Sequence, residues 1–260
     1  MFLPVDDALI FTTSFGSPQA PALVGIGGWI GSWEMWQEPF SALSASWYTV
    51  AYDHRGSGAT IAPPDSISID RLVKDFFAVM DACRIERCVL AAESAGALTA
   101  LSAALQAPQR VAGLVLVGGL SYSEPVSEDT PFVQGLRRAY RATLDRFVDL
   151  CVPEADSAPV RRWGQQILNR AAPEAAVALL RAAGQVDLRE QYPRIQQPVL
   201  LLHGELDAIV PLEQAQWLAK TLPNATLKVI PGAGHVPTMT RPAEIVSAIQ
   251  TFFESHSFGA

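Results

Sequence analysis

Charged residues are scarce in this sequence of 260 residues, at 17% of the total, against roughly 25% in an average soluble protein. Apolar residues make up 49%, which excludes a disordered chain because such chains bury too little apolar surface to offset the entropy lost on ordering. No run of Lys or Arg exceeds two residues, and the formal net charge is −7. Nucleic acids and anionic membranes need clustered cations on the protein, so we expect neither as a partner.

Cysteine is rare as well, with Cys83, Cys88 and Cys151 showing no CxxC spacing. A structural zinc site needs four closely spaced Cys or His ligands. We therefore expect free thiols in a reducing compartment and no metal. Residues 1–7 carry neither a basic region nor a long apolar run, so the sequence predicts no secretory signal and a cytoplasmic protein.

The longest apolar stretch covers residues 88–107 and approaches the length that spans a bilayer. Glu93 and Gly96 lie near its start, and a carboxylate in lipid is costly. This stretch therefore predicts a buried strand, a tight turn and a helix.

Short apolar runs alternate along the chain with segments of helical period, of which residues 68–83 are the clearest. This alternation is typical of a mainly parallel sheet covered by helices on both faces. We therefore predict an α/β protein with a doubly wound sheet. The predicted strands are residues 8–13, 22–27, 47–52, 87–92, 111–117, 199–203 and 226–230.

The alternation stops after residue 117 and resumes at residue 198. Residues 121–194 have a helical composition without a convincing strand. Because structureless loops beyond about 15 residues are uncommon in compact domains, we predict that this segment is a folded helical cap. Residues 1–120 and 195–260 then form the core domain. We call residues 121–194 the cap segment.

Ser94 lies in the sequence A-E-S-A-G, residues 92–96, between a predicted strand and a predicted helix. A serine on a tight strand-to-helix turn is lifted above the sheet edge, over backbone N–H groups that favour developing negative charge. The alternative is an ordinary serine at a helix N-terminus. The motif resembles the nucleophile elbow, G-x-S-x-G, of the α/β-hydrolase superfamily, with Ala92 in place of the first glycine.

A glycine-rich turn, G-I-G-G-W-I-G-S at residues 25–32, follows an early predicted strand. It resembles the family's oxyanion turn, although Gly27 stands where a histidine is common. The resemblance implies that the backbone N–H groups of Trp29 and Ala95 form the oxyanion hole. The alternative, a nucleotide-phosphate turn, fits less well because the glycines do not match G-x-G-x-x-G.

Two further motifs follow the last predicted strands. Residues 203–211, H-G-E-L-D-A-I-V-P, resemble the family's acid-bearing loop, and residues 230–235, I-P-G-A-G-H, resemble its histidine turn. The resemblance implies a triad of Ser94, Asp207 and His235, in the family's chain order. Glu124 is the competing acid, because some relatives carry theirs after an earlier strand.

Residues 52–58, Y-D-H-R-G-S-G, resemble the family's D-x-R-G-x-G loop. We expect Asp53 and Arg55 to hold the loops around the oxyanion turn together. His54 is expected at the loop surface. Glu93, beside the predicted nucleophile, is expected to support the turn, with a part in proton transfer left open.

The resemblance implies an eight-stranded sheet and a serine hydrolase that cleaves a small, largely apolar carboxylic ester or lactone without a cofactor. A serine at position 94 argues against a haloalkane dehalogenase, which would need an aspartate there. Carbon–carbon bond hydrolases, cofactor-free oxygenases, perhydrolases and slow-turnover receptors remain alternatives. The oligomeric state stays open between a monomer and a homodimer. Expected pocket residues are Trp29, Phe132, Tyr140 and Trp163.

Overall fold

The computed structural model describes residues 1–256 and residue 258. Eight strands form one sheet in the order β1-β2-β4-β3-β5-β6-β7-β8. The two pairs that involve β2 are antiparallel, and the other five neighbouring pairs are parallel. The strands are β1 (Phe2–Val5), β2 (Ala8–Phe15), β3 (Ala22–Ile26), β4 (Tyr48–Tyr52), β5 (Cys88–Glu93), β6 (Val111–Val117), β7 (Val199–Gly204) and β8 (Ala225–Ile230).

Helices cover both faces of this sheet. The α-helices are α1 (Gln37–Leu43), α2 (Ile69–Ala82), α3 (Gly96–Gln106), α4 (Pro131–Arg138), α5 (Tyr140–Cys151), α6 (Ala158–Leu168), α7 (Pro173–Gly184), α8 (Leu212–Thr221), α9 (Pro237–Thr240) and α10 (Pro242–Ser255). Helices α2 and α3 pack together on one face, and α1 and α10 pack together on the other. The predicted α/β class, with a mainly parallel, doubly wound, eight-stranded sheet, is confirmed.

Side chains of the central strands alternate between two apolar cores. In β5, Leu90 belongs to the core on the α2 and α3 face, whereas Val89 and Ala91 belong to the core on the α1 and α10 face. Every residue of β5 and β6 is buried, because strands covered on both faces have no solvated side. The apolar stretch at residues 88–107 is a buried strand, a turn and a helix, as predicted.

Helix α2 is the segment whose periodicity is clearest in the sequence. The Ser68 hydroxyl accepts a hydrogen bond from the Arg71 N–H at its N-terminus. Its buried residues, among them Leu72, Phe76 and Met80, recur at four-residue steps, so one stripe faces the sheet. The predicted helix at residues 68–83 is confirmed to within one residue at each end.

Residues 118–198, all described by the structure, contain helices α4 to α7 and no strand. They connect the neighbouring strands β6 and β7. The Trp29 side chain, which follows β3, donates a hydrogen bond of 2.8 Å from Nε1 to the carbonyl of Ala176 in α7. The cap segment is thereby attached to the loop that follows β3.

The loop after β4 is held by a buried ion pair. Arg55 donates to both carboxylate oxygens of Asp75 on α2, at 2.6 and 3.0 Å, and both side chains are fully buried. Asp53 accepts hydrogen bonds from the N–H groups of Trp33 and Ala59. The expectation of a surface position for His54 is wrong, because its ring is buried between backbone carbonyls of neighbouring loops.

All three cysteines are free, with Cys88 and Cys151 buried and Cys83 half-buried. Within residues 1–256 and 258, no helix combines the length and the apolar character needed to cross a lipid bilayer.

Candidate active site

Ser94 occupies the turn between β5 and α3 and has a φ of +51°. This left-handed conformation is uncommon for a residue that has a side chain. Three hydrogen bonds hold the turn. The Ser94 N–H donates to the Val117 carbonyl at 2.9 Å, and the N–H groups of Leu120, at 2.9 Å, and Ala97, at 3.0 Å, donate to the Ser94 carbonyl. At Gly96 a Cβ would lie 2.5 Å from the Gly27 carbonyl oxygen, so the close approach of the two turns requires a glycine there.

Ser94, His235 and Asp207 form one hydrogen-bonded chain. His235 Nδ1 lies 2.8 Å from Asp207 Oδ2, and His235 Nε2 lies 2.9 Å from Ser94 Oγ. A carboxylate can only accept, so the Nδ1 position carries the ring proton and Nε2 accepts from the serine hydroxyl. The three side chains come from the loops after β5, β7 and β8, at the edge where the carboxyl ends of parallel strands meet.

The carboxylate oxygen of Asp207 that does not face His235 is hydrogen-bonded to the loop that carries Asp207. Its Oδ1 accepts hydrogen bonds from the N–H groups of Ile209, at 2.8 Å, and Val210, at 2.9 Å. Burial acts to raise the pKa of Asp207, but the hydrogen bonds from His235 and from these amides outweigh it, so the pKa lies below the ordinary value. Asp207 is therefore an anion at neutral pH. The competing acid, Glu124, is exposed on the loop after β6.

His203, at the end of β7, lies against the same carboxylate. Its Nε2 donates to the Val210 carbonyl at 2.9 Å and is 3.3 Å from Asp207 Oδ2. Burial lowers the pKa of His203. The ring is therefore neutral at neutral pH, with its Nε2 proton directed to the Val210 carbonyl and its edge facing the Asp207 carboxylate.

The glycine-rich turn after β3 lies against the serine. A Cβ at Gly28 would be 2.8 Å from Ser94 Cβ, so only glycine permits this approach. Within the described residues, neither the Trp29 nor the Ala95 backbone N–H donates a hydrogen bond. Unpaired N–H groups beside a serine hydroxyl can receive the negative charge that develops on a carbonyl oxygen.

A cavity of about 50 Å³ adjoins Ser94 and His235. Its lining is apolar apart from these two side chains. The core contributes Trp29, Met35, Val236 and Met239, and the cap segment contributes Phe147, Val148, Cys151, Val152, Ile167 and Leu168. The site thus places a serine hydroxyl in contact with a largely apolar cavity.

Of the four aromatic residues expected to line the pocket, only Trp29 does so. Phe132 lies behind it, with ring centroids 5.2 Å apart. The Tyr140 hydroxyl donates to the Ala171 carbonyl, and Trp163 Nε1 lies 3.4 Å from a Glu34 carboxylate oxygen. None of these three residues belongs to the cavity lining.

Glu93, the last residue of β5, is fully buried beside the serine turn. Its Oε1 accepts a hydrogen bond of 2.5 Å from the Thr238 hydroxyl on α9, and no partner for Oε2 occurs in the described part of the chain. Burial raises the pKa of Glu93 to about 7, against the opposing effects of the Thr238 hydrogen bond and the charge of His235. The carboxyl thus connects the turn of Ser94 to the helix that follows His235.

No three His, Cys, Asp or Glu side chains in residues 1–256 and 258 converge in an arrangement that could hold a metal ion.

The sequence model of the alpha/beta hydrolase fold family matches residues 21–242. This range contains β3 to β8, the Ser94 turn, Asp207 and His235. The chain belongs to the alpha/beta hydrolase fold family, and the resemblance drawn from its motifs is confirmed.

Individual relatives cover almost the whole chain. It is 32% identical over 241 residues to a pimeloyl-[acyl-carrier protein] methyl ester esterase of Nitrosomonas europaea, covering 87% of this chain and 93% of the relative. It is 24% identical over 253 residues to 3-oxoadipate enol-lactonase 2 of Acinetobacter baylyi, covering 95% of this chain and 94% of the relative. A hydrolase from Pseudomonas aeruginosa PA01 has a similar structure, with a TM-score of 0.91, 25% identity and 97% of both chains covered.

Proposed function

We propose that this chain is a serine hydrolase that cleaves a carboxylic ester or lactone of a small, largely apolar substrate through an acyl-enzyme on Ser94. The hydrogen-bonded chain from Ser94 through His235 to Asp207, beside an apolar cavity, carries the proposal. The names of two relatives, a methyl ester esterase and an enol-lactonase, support the same class of bond.

In the proposed reaction, Ser94 Oγ attacks the substrate carbonyl while His235 Nε2 takes the hydroxyl proton. Asp207 holds the Nδ1 proton in place and stabilises the imidazolium cation. The N–H groups of Trp29 and Ala95 donate to the oxyanion. His235 then passes its proton to the departing alkoxide, which leaves as the alcohol, and afterwards activates a water molecule that releases the acid and restores the serine.

The cavity lining supports a neutral acyl group. The lining contains no Asp, Glu, Lys or Arg side chain, and an unpaired carboxylate placed there would lose its hydration without compensation. Arg170 of the cap segment is already paired with Glu34 outside the cavity. An acyl group without a charge is therefore the better occupant.

A fluorophosphonate probe tests the nucleophile. Its phosphorus should bond to Ser94 Oγ with loss of fluoride, giving one label per chain and a parallel loss of ester turnover. Ser94→Ala should neither take the label nor hydrolyse esters. Labelling at another residue, or full activity of the alanine variant, would contradict the acyl-enzyme.

The same preparation tests the acyl group. A p-nitrophenyl ester of butyric acid should show a kcat/KM at least about tenfold above that of the mono-p-nitrophenyl ester of succinic acid, because only the second brings a carboxylate into the cavity. Equal values would contradict the preference for a neutral acyl group without affecting the assignment of Ser94.

A further inference from the structure

Two consecutive backbone amides of the loop that carries His235 donate hydrogen bonds to the cap segment. The Gly234 N–H donates to Glu154 Oε1, and the His235 N–H donates to the Cys151 carbonyl, each at 2.9 Å. Cys151 ends α5, and Glu154 lies in the α5–α6 connection, residues 152–157. The position of the His235 backbone is thus set by groups of the cap segment.

The Gly234 peptide is tightly packed at this contact. A Cβ on Gly234 would lie 2.5 Å from the Cys151 carbonyl oxygen and would overlap the ring of Pro153. On the opposite side, a Cβ on Gly204 at the end of β7 would overlap the Gly234 carbonyl. The Gly234 peptide is therefore held between β7 and the α5–α6 connection.

Glu154 is suited to hold an amide rather than to interact with solvent. Its side chain is buried, and no partner of Oε2 occurs within the described residues. Arg161 of α6 stabilises the connection by donating hydrogen bonds to the carbonyls of Val152, at 2.8 Å, and Glu154, at 3.0 Å. Because the backbone of the connection is fixed, the carboxylate offers Gly234 an acceptor at a fixed place.

We propose that Glu154 is a positioning residue for His235, through which the cap segment keeps the imidazole aligned between Ser94 and Asp207. This role rests on the proposed function, since it matters only if His235 is the base. A carboxylate accepting from a backbone N–H is a strong, charge-assisted hydrogen bond. Loss of alignment by about 1 Å can lower turnover by about 100-fold.

Three substitutions test this role with two esters, a small acetate and a longer-chain ester. Glu154→Ala should lower kcat about tenfold to 100-fold on both esters to the same extent, with KM changed by less than about threefold, because the base is misplaced and the cavity is not. Glu154→Gln keeps an oxygen acceptor and should restore kcat to within about threefold of wild type. Glu154→Asp, with a shorter reach, should give an intermediate kcat.

Glu205→Ala is the matched control. Glu205 Oε2 accepts from the Gly232 N–H of the same loop at 2.8 Å. Glu205 is exposed and lies outside the cap segment. The kcat of Glu205→Ala should therefore stay within about threefold of wild type. A wild-type kcat in folded Glu154→Ala would overturn the role. If that variant fails to fold, a wild-type kcat in Glu154→Asp would do so. Unequal losses on the two esters would also overturn it, since they would indicate a pocket effect.

Ser94→Ala, measured in parallel, separates this proposal from the proposed function. Ester turnover that survives in Ser94→Ala contradicts the nucleophile itself. Turnover that is lost in Ser94→Ala but unchanged in Glu154→Ala leaves the nucleophile in place and removes only the positioning role.

Discussion

The carboxylate of Asp207 lies 2.8 Å from Nδ1 of His235, and neither side chain is more than 3% exposed. The two residues stand on neighbouring loops, after β7 and β8. Both side chains are shielded from solvent, so the orientation of the imidazole depends on Asp207.

Replacing Asp207 by Asn should lower kcat by roughly two to four orders of magnitude, because the amide favours the wrong imidazole tautomer, which costs about 10⁴-fold in the serine proteases. The Asn side chain still offers an oxygen to the amides of Ile209 and Val210, so the melting temperature should stay near that of the wild type. Steady-state kinetics and thermal melts measure both quantities.

Glu124→Gln, which changes an exposed side chain, should lower kcat by less than about tenfold. The reverse ranking would assign the acid to Glu124.

Phe147 should govern the length of the acyl group. It lines the cavity and packs on Trp29, with ring centroids 5.2 Å apart. Phe147→Ala should raise the ratio of kcat/KM for a hexanoate ester to that for an acetate ester by at least about tenfold, because each methylene in an apolar pocket is worth about 1–3 kcal/mol.

Tyr140→Phe is the control for this prediction. Tyr140 lies in the same helix but outside the cavity lining. It should lose only the hydrogen bond to Ala171, worth about 1 kcal/mol of unfolding free energy, and leave the ester ratio unchanged. An equal change of the ratio in both variants would indicate a general distortion of the cap segment.

Glu93 should make stability depend on pH. Burial raises its pKa in the folded chain to about 7, from an ordinary value of 4.5. Between these values the folded state binds more protons than the unfolded state, so the free energy of unfolding falls as pH rises from about 4.5 to 7. Glu93→Gln cannot titrate, and the Gln oxygen can still accept from Thr238. Its unfolding free energy relative to wild type should therefore rise across this window by as much as about 3 kcal/mol. Urea denaturation at a series of pH values measures this difference. A difference that does not change with pH would contradict the prediction.

Buried strands and glycine-bearing turns were predictable because local chemistry dictates them. β6 matches its predicted range, residues 111–117, and the motifs around Ser94 and His235 lie at the ends of predicted strands. β1 (Phe2–Val5) was missed. It is a short edge strand containing Pro4, it pairs only with β2, and three of its four side chains are not buried, so the sequence shows no alternation there.

The contacts of the cap segment were the least predictable part. Phe132, Tyr140 and Trp163 were chosen because aromatic side chains often form pockets, but the packing of one helix on another decides which side chains face the cavity. Helix α5 presents Phe147, Val148 and Cys151 to it, at the three- and four-residue spacing of a helix face. That spacing was a usable signal. The hydrogen bond from Gly234 to Glu154 joins residues 80 positions apart and has no local signature.

At position 94 the positive φ favours glycine, whereas the hydrogen bond to His235 requires a serine hydroxyl. A non-glycine residue in this conformation costs on the order of 1–3 kcal/mol, and glycine would adopt it freely. Within the described residues the serine hydroxyl makes one hydrogen bond, to His235, so a sequence optimised for stability alone would carry glycine at position 94. The serine is a trade-off in which the chain gives up thermodynamic stability to keep a hydroxyl within hydrogen-bond distance of His235.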